Sequence, residues 1–304
     1  YRASPPNLLN CSPAASREIL PFSSDRDALK TFITNLQAEG NTSIDLGMKW
    51  GAALLDPSMQ GVVSGMIANH ELPAALEGRP YSYDDGEVLK IIVLMTDGEN
   101  TTEYKLRNAS NSDSSNPQGY NTGFSPIYRN TYYASNNYTV NQYSLYDASK
   151  NKYYAVATDT WRDQPWGDAS GDTGYSAGHP KAVQMTWPEV WERMSIYYLS
   201  DKIIYPAYDS TSIRNKWRPA STTSPKVNTF EYSQKDAQTL SLCTAAKAHG
   251  VRIYTIAFEA PDRGQNLLSQ CASSDASHYE VEGLDIQDAF SGIVQSINKL
   301  RLTH

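Results

Sequence analysis

Residues 91–95 are Ile-Ile-Val-Leu-Met, and they run without a break into Thr96-Asp97-Gly98-Glu99. A strand with one wet face alternates apolar and polar side chains. Val88 to Met95 reads instead as apolar on both faces, and such a strand needs cover on both sides. A second run far downstream, VRIYTIAFE from Val251, is rich in β-branched and aromatic residues and also reads as a strand. Helices are the usual cover for strands of this kind.

The flanking sequence supplies them. Ser24 and Asp25 can cap a helix over DRDALKTFITNLQAEG, in which Leu29, Phe32, Ile33 and Leu36 share a face and Gly40 ends the pattern. In NTSIDLGMKWGAALL, Ile44, Met48, Ala52 and Leu55 again fall at helical steps. Residues 56–87, broken by DPS, GRP and DDG, read as loop. After the long middle segment come a helix over QKDAQTLSLCTAAKAHG, the VRIYTIAFE strand, a short helix over GQNLLSQCASS and a short strand HYEV. A last helix carries the stripe Ile286, Ala289, Phe290, Ile293, Val294, Ile297 and Leu300. Apolar strands alternating with helices predict an α/β domain with a mostly parallel sheet and helices on both faces.

Residues 101–232 differ in kind. Ten of the 21 tyrosines lie between Asn108 and Pro180, among many Asn, Ser, Asp and Gly. This reads as a loop-rich insertion with one helix over TWPEVWERMSIYYLSDKII, capped by Thr186 with Pro188 in the first turn. The expected division is 1–100, 101–232 and 233–304. The aromatic side chains of the insertion fit either a recognition surface or packing in place of aliphatic residues. The acidic run containing Asp159, Asp163, Asp168 and Asp172 lacks calcium-loop spacing and reads as a solvated loop.

Charge and motifs narrow the function. A formal net charge of -7 disfavours contact with nucleic-acid phosphates. No apolar run approaches the roughly 20 residues that span a bilayer. The five histidines are scattered, and GxSxG, HExxH and Walker loops are absent. A non-enzymatic role is therefore expected, with an uncharacterised metal-dependent hydrolase as the enzymatic alternative. Five N-x-S/T sequons, at Asn10, Asn41, Asn100, Asn108 and Asn137, include two beside the residues singled out next, where a glycan would block a ligand. That favours a compartment without N-glycosylation.

In an open parallel sheet, ligands bind beyond the carboxyl ends of the strands. Asp97 stands at such an end, and Thr42 stands in a loop, GNTSIDLG, just before a helix. If the two loops share an edge, a carboxylate and a hydroxyl converge, a donor pair suited to Mg²⁺, Ca²⁺ or Mn²⁺. Each residue also has a plainer reading: Asp97-Gly98 as a turn in which Gly supplies a positive φ, and Thr42 as a helix cap.

The stretches ILPFSSDRDALKTFITNLQAEGNTSIDLGMKWGAALLDP, IIVLMTDGENT, CTAAKAHGVRIYTIAFE, LLSQCASS, YEV and LDIQDAFSGIVQSINKLRLT together resemble a von Willebrand factor type A domain, a Rossmann-like fold. The finer pattern is similar to the TadG proteins of the bacterial tight-adherence (Flp) pilus system. The resemblance covers about half the chain, at its two ends, and implies a large insertion after TDGEN. It also implies a metal-ion-dependent adhesion site built from a DxSxS loop, a Thr and the Asp of TDG. Thr42 and Asp97 match the second and third of these, with Ser43, Asp45 and Glu99 as surface or supporting polar residues. No DxSxS occurs in the chain, so the fold is expected to be incomplete at its N-terminus, with that loop and a membrane anchor upstream. The implied protein is an adhesion or pilus-assembly module on the periplasmic side of a bacterial envelope. It would bind protein partners through a divalent cation, Mg²⁺ first, completed by a partner's acidic side chain. An alternative is a vestigial metal site with the aromatic insertion as the binder. In this setting the helices that flank VRIYTIAFE can place Cys243 and Cys271 side by side, as a disulfide or as two reduced core thiols. Cys11 is then left to pair upstream.

Overall fold

The computed structural model describes residues 18–37, 40–106, 122–133, 139–173, 175, 182–217 and 227–301. The chain divides into two compact units. One comprises residues 15–103 and 230–304; the other comprises residues 1–14 and 104–229. Cys11, Asn10, Asn108 and Asn137 lie outside the described residues.

The first segment of the α/β unit begins with α1 (Arg26–Thr34), α2 (Ile44–Leu55) and α3 (Gln60–Ala68), followed by strand β1 (Ile91–Thr96). Asp25 caps α1 through its carboxylate, which accepts from the backbone N–H of Asp27 and Ala28. The helix stops at Thr34, well before Gly40, and none of its residues is buried. Ile19–Phe22 forms no strand. The stretch read as loop contains a helix: Asp56 of the DPS break caps a 3₁₀ turn by accepting from Ser58 N, and α3 follows directly. The apparent breaker thus starts a helix.

The chain then passes through β2 (Glu103–Leu106) into the second unit. There it forms β3 (Phe124–Tyr133), β4 (Thr139–Asp147), β5 (Lys152–Ala155), β6 (Thr160–Arg162) and β7 (Val183–Thr186). A broken helical run follows: α4 (Trp187–Arg193), α5 (Ile196–Tyr198), a π-helical turn over Leu199–Ile204, α6 (Tyr205–Tyr208) and α7 (Thr211–Asn215). Strand β8 (Val227–Phe230) pairs with β2.

The loop-rich expectation for this insertion is wrong. Strands β3 to β7 form one antiparallel sheet in the order β6-β5-β4-β3-β7. Its core contains Ile127, Tyr143, Leu145, Tyr154, Met185, Trp187, Val190 and Leu199, all buried. Tyr and Trp occupy positions that aliphatic residues fill in most cores, so the segment is folded without looking apolar. The opposite face carries Tyr128, Tyr146 and Tyr153, in mutual ring contact at 4.9–6.5 Å. The acidic run is not simply solvated. Asp172 pairs with Arg162 at 2.8 Å and accepts from Gly167 N, and these bonds hold its carboxyl below the usual carboxylate range against the opposing effect of burial. The single helix expected over 186–204 is interrupted at Met194 and Ser195.

On its return the chain forms α8 (Tyr232–Ala248), β9 (Arg252–Phe258), α9 (Asp262–Cys271), β10 (His278–Val281) and α10 (Ile286–Arg301). The α/β unit has the parallel sheet and two-sided helical cover expected of it. The strand order is β1-β9-β10, all parallel, with Ile91 opposite Arg252 and His278 opposite Thr255. On one face, Ile92, Leu94, Ile253 and Ala257 pack against Ile44 and Met48 of α2, Cys243 of α8, and Leu267 and Leu268 of α9. On the other, Tyr254 and Ile256 pack against Ala289 and Ile293 of α10. Of the three strands of this sheet, only β9 is buried on both faces. In β1, Val93 and Met95 are 41% and 50% exposed, which corrects the reading of a fully buried strand. Strand β1 lies at the edge of the sheet, and α10 packs on β9 and β10, with only Ile91 of β1 against that cluster. Phe290 and Val294 of the last stripe are likewise exposed.

Cys243 and Cys271 are joined by a disulfide that ties α8 to α9, with Cα atoms 5.3 Å apart and both residues buried. The bridge closes a sequence separation of 28, for which loop entropy gives about 3–4 kcal/mol of stabilisation. A Cys243→Ala/Cys271→Ala chain is expected to lose about that much in urea unfolding, and a loss under 1 kcal/mol would contradict it.

Candidate loop-edge binding site

Parallel pairing brings the carboxyl ends of β1 and β9 to one edge of the sheet. The loop after β1 meets the loop before α2 there. Thr101 donates to Thr42 O through both its backbone N and its Oγ1, each at 3.2 Å. A Cβ on Gly98 would stand 2.6 Å from Thr42 Oγ1, so the two loops are in direct contact. Gly98 does not lie in the left-handed region, contrary to the turn reading. It is glycine for space: Thr42 crowds it, and a Cβ on Gly264 of α9 would come within 2.4 Å of Gly98 O. The local bond of the turn comes from Thr96, whose Oγ1 accepts from Gly98 N at 3.1 Å.

The loops are held by a buried polar network that the sequence did not reveal. Asn100, fully buried, caps α2: its Oδ1 accepts from Ile44 N at 2.7 Å. Its Nδ2 donates to Asp236 Oδ1 at 2.9 Å. Thr42 is therefore not the helix cap. Ser43 occupies the cap position without making a side-chain cap bond, and a residue 56 positions away serves instead. Lys235, in the first turn of α8 and 1% exposed, donates to Ser43 Oγ at 2.6 Å and lies 3.5 Å from Asp45 Oδ1. Asp45 Oδ1 receives no hydrogen bond, so its compensation is the charge of that ammonium. Asp45 is thus a buried ion-pair partner and not a surface residue. Asn100 and Lys235 give no sequence signal, because each looks like an ordinary polar residue of a loop or a helix start.

Glu99 takes a different partner. Arg263 at the start of α9 donates from Nε to Glu99 Oε2 at 3.1 Å and from Nη2 to Asn100 O, and its guanidinium lies 4.0 Å over the Tyr232 ring. These side chains, with Thr101 and Thr102, line an open cleft of about 430 Å³. Asp97 is exposed and makes no hydrogen bond or ion pair among the described residues.

The structure therefore brings Thr42 against Gly98, next to Asp97, and Thr101, while Ser43 and Asp45 turn to Lys235 and Glu99 turns to Arg263. For a divalent cation, the Asp97 carboxylate and Thr42 hydroxyl are donors of the right kind but too few for the six or more oxygens such ions take. Among the described residues no group of three His, Cys, Asp or Glu side chains gathers to hold a metal. No described helix is long and apolar enough to cross a membrane. Asn100 is closed to glycan by its burial. Compared with protein-family models, with curated proteins and with solved structures, the chain finds no match in any of the three.

Removing one member of a buried pair leaves the other charge uncompensated. Lys235→Met is expected to cost about 3–5 kcal/mol in urea unfolding, and Lys235→Met/Asp45→Leu much less. A cost under 1 kcal/mol for the single variant would show that the pair does not hold the loops. Gly98→Ala is expected to cost about 1–3 kcal/mol by forcing Thr42 away.

Proposed function

We propose that this chain is a non-enzymatic binding module of the von Willebrand factor type A kind. In this reading it belongs to a bacterial envelope protein resembling TadG of the Flp pilus system and serves adhesion or pilus assembly. The observation that carries the reading is the locking of the Thr42 loop onto Gly98, beside an exposed Asp97 that has no partner among the described residues, at the carboxyl edge of a parallel sheet. The Cys243–Cys271 bridge supports an oxidising compartment such as the periplasm. Thr42 and Asp97 would hold a divalent cation, Mg²⁺ before Mn²⁺ or Ca²⁺, with water and an acidic side chain of a protein partner supplying the remaining oxygens.

With two protein donors the cation affinity is expected to be weak, with Kd on the order of 10⁻³ M. Asp97→Ala is expected to weaken Mg²⁺ binding at least tenfold in calorimetry, and unchanged affinity in this variant would sink the assignment.

One observation favours a second reading. Lys235 already places a cation 2.6 Å from Ser43 Oγ, which suits a site that has lost its metal and leaves partner binding to the 104–229 unit. Under this reading Asp97→Ala leaves partner capture intact, while replacing residues 107–226 with a short linker abolishes it. The opposite pattern supports the first reading.

A further inference from the structure

The turn between β4 and β5 presents an ammonium group to an aromatic corner. Lys150 Nζ lies 3.9 Å from the centroid of the Trp161 ring and 4.8 Å from that of Tyr208, over both faces. The two rings meet edge to face at 5.9 Å and 63°, forming two walls. Asp147 Oδ2 stands 3.8 Å from the same nitrogen. Two π faces and a carboxylate around one nitrogen are the chemistry of cation recognition.

The walls are fixed by contacts other than Lys150. Trp161 Nε1 donates to Ala207 O at 3.1 Å, and its ring packs on buried Tyr154 at 5.5 Å. Asp147 accepts from Ser149 N at 2.8 Å, from Ser149 Oγ at 2.6 Å and from the Tyr208 hydroxyl. The Asp147 side chain is 10% exposed and that of Lys150 43%. The lysine is thus the removable part of the cluster, carried on a turn in which Asn151 has φ 50°. The carboxylate also selects among cations, because a primary ammonium has three N–H donors to offer it and a quaternary ammonium has none.

We infer that Trp161, Tyr208 and Asp147 form a receptor for a primary alkylammonium group, filled in the isolated chain by Lys150 and available to a lysine side chain of a protein partner that displaces it. The occupant seen here is itself a lysine on a turn, which favours a protein lysine over a lipid headgroup. The inference is independent of the Thr42–Asp97 reading, and failure of the Mg²⁺ test leaves it standing.

The test uses the full chain with Lys150→Ala, an exposed turn substitution whose folding is checked by circular dichroism. n-Butylammonium is titrated while the Trp161 indole N–H resonance, assigned with Trp161→Phe, is followed by NMR. The expected result is a saturable shift in Lys150→Ala at least tenfold tighter than in wild type, absent with n-butanol and weakened at least tenfold by adding Asp147→Asn. No saturable shift in Lys150→Ala, or equal affinity in wild type, would overturn the proposal. Tighter binding of tetramethylammonium than of n-butylammonium would also overturn it, pointing to choline-type headgroups instead.

Discussion

Strand β9 is the constraint on which the α/β unit depends. Ile253 and Ile256 are fully buried on its two faces, one against α2, α8 and α9, the other against α10. Each such side chain stabilises the fold by roughly 1.5–3 kcal/mol through burial alone. Because β1 and β10 both run parallel to β9, their carboxyl ends emerge at one edge, and the connections after β1 and β9 must meet there. The mutual approach of Gly98 and Gly264 is that meeting in atomic terms. A side chain at Gly264 would push α9 off the loop after β1, and one at Gly98 would push Thr42 away.

A loop edge made of polar backbone cannot be held by apolar burial, and here it is held by hydrogen bonds to α8. Asn100 satisfies the otherwise unpaired first N–H groups of α2 from one direction and bonds Asp236 and Thr239 in the other. Lys235, within the same first turns of α8, reaches Ser43 and Asp45. One helix start therefore clamps both loops. The disulfide then fixes that helix to α9, which carries Arg263 and its bond to Glu99. The candidate site rests on connections between elements far apart in sequence, and none of them follows from local propensity.

This explains what could be read from the chain and what could not. The α9 helix and the β9 strand were legible because their apolar pattern matches their burial; in α10 the stripe is buried only in part, at Ala289 and Ile293, and the buried face of α8 includes Lys235 and Thr239. That the Thr42 loop meets the loop after β1 was legible in outline, and the contacts are Thr42 with Gly98 and Thr101. Two errors came from treating pattern as burial. Val93 and Met95 are apolar but exposed, because burial at a sheet edge depends on what lies beyond it. The 104–229 unit looked like loop because Tyr143, Tyr154 and Trp187 build its core with aromatic residues that a hydropathy pattern discounts. Asn100, Lys235 and Arg263 were invisible for a third reason: their partners lie 56 to 192 positions away, and their residue types are common at loops and helix starts.

The distribution of charge around this edge argues for what the edge is free to do. Asp45 is buried and committed to Lys235, whose desolvation makes the pair costly to break. Glu99 is half exposed and committed to Arg263, an arrangement that orders the cleft wall and contributes little stability at such exposure. Asp97 lies between these two commitments in sequence and has neither among the described residues. An exposed carboxylate flanked by satisfied ones costs nothing to leave solvated, and it gains the most from a cation or donor arriving from outside. The same logic runs in reverse at Lys150, where an exposed cation already has its acceptors in the chain. The turn must release that lysine before another can take its place.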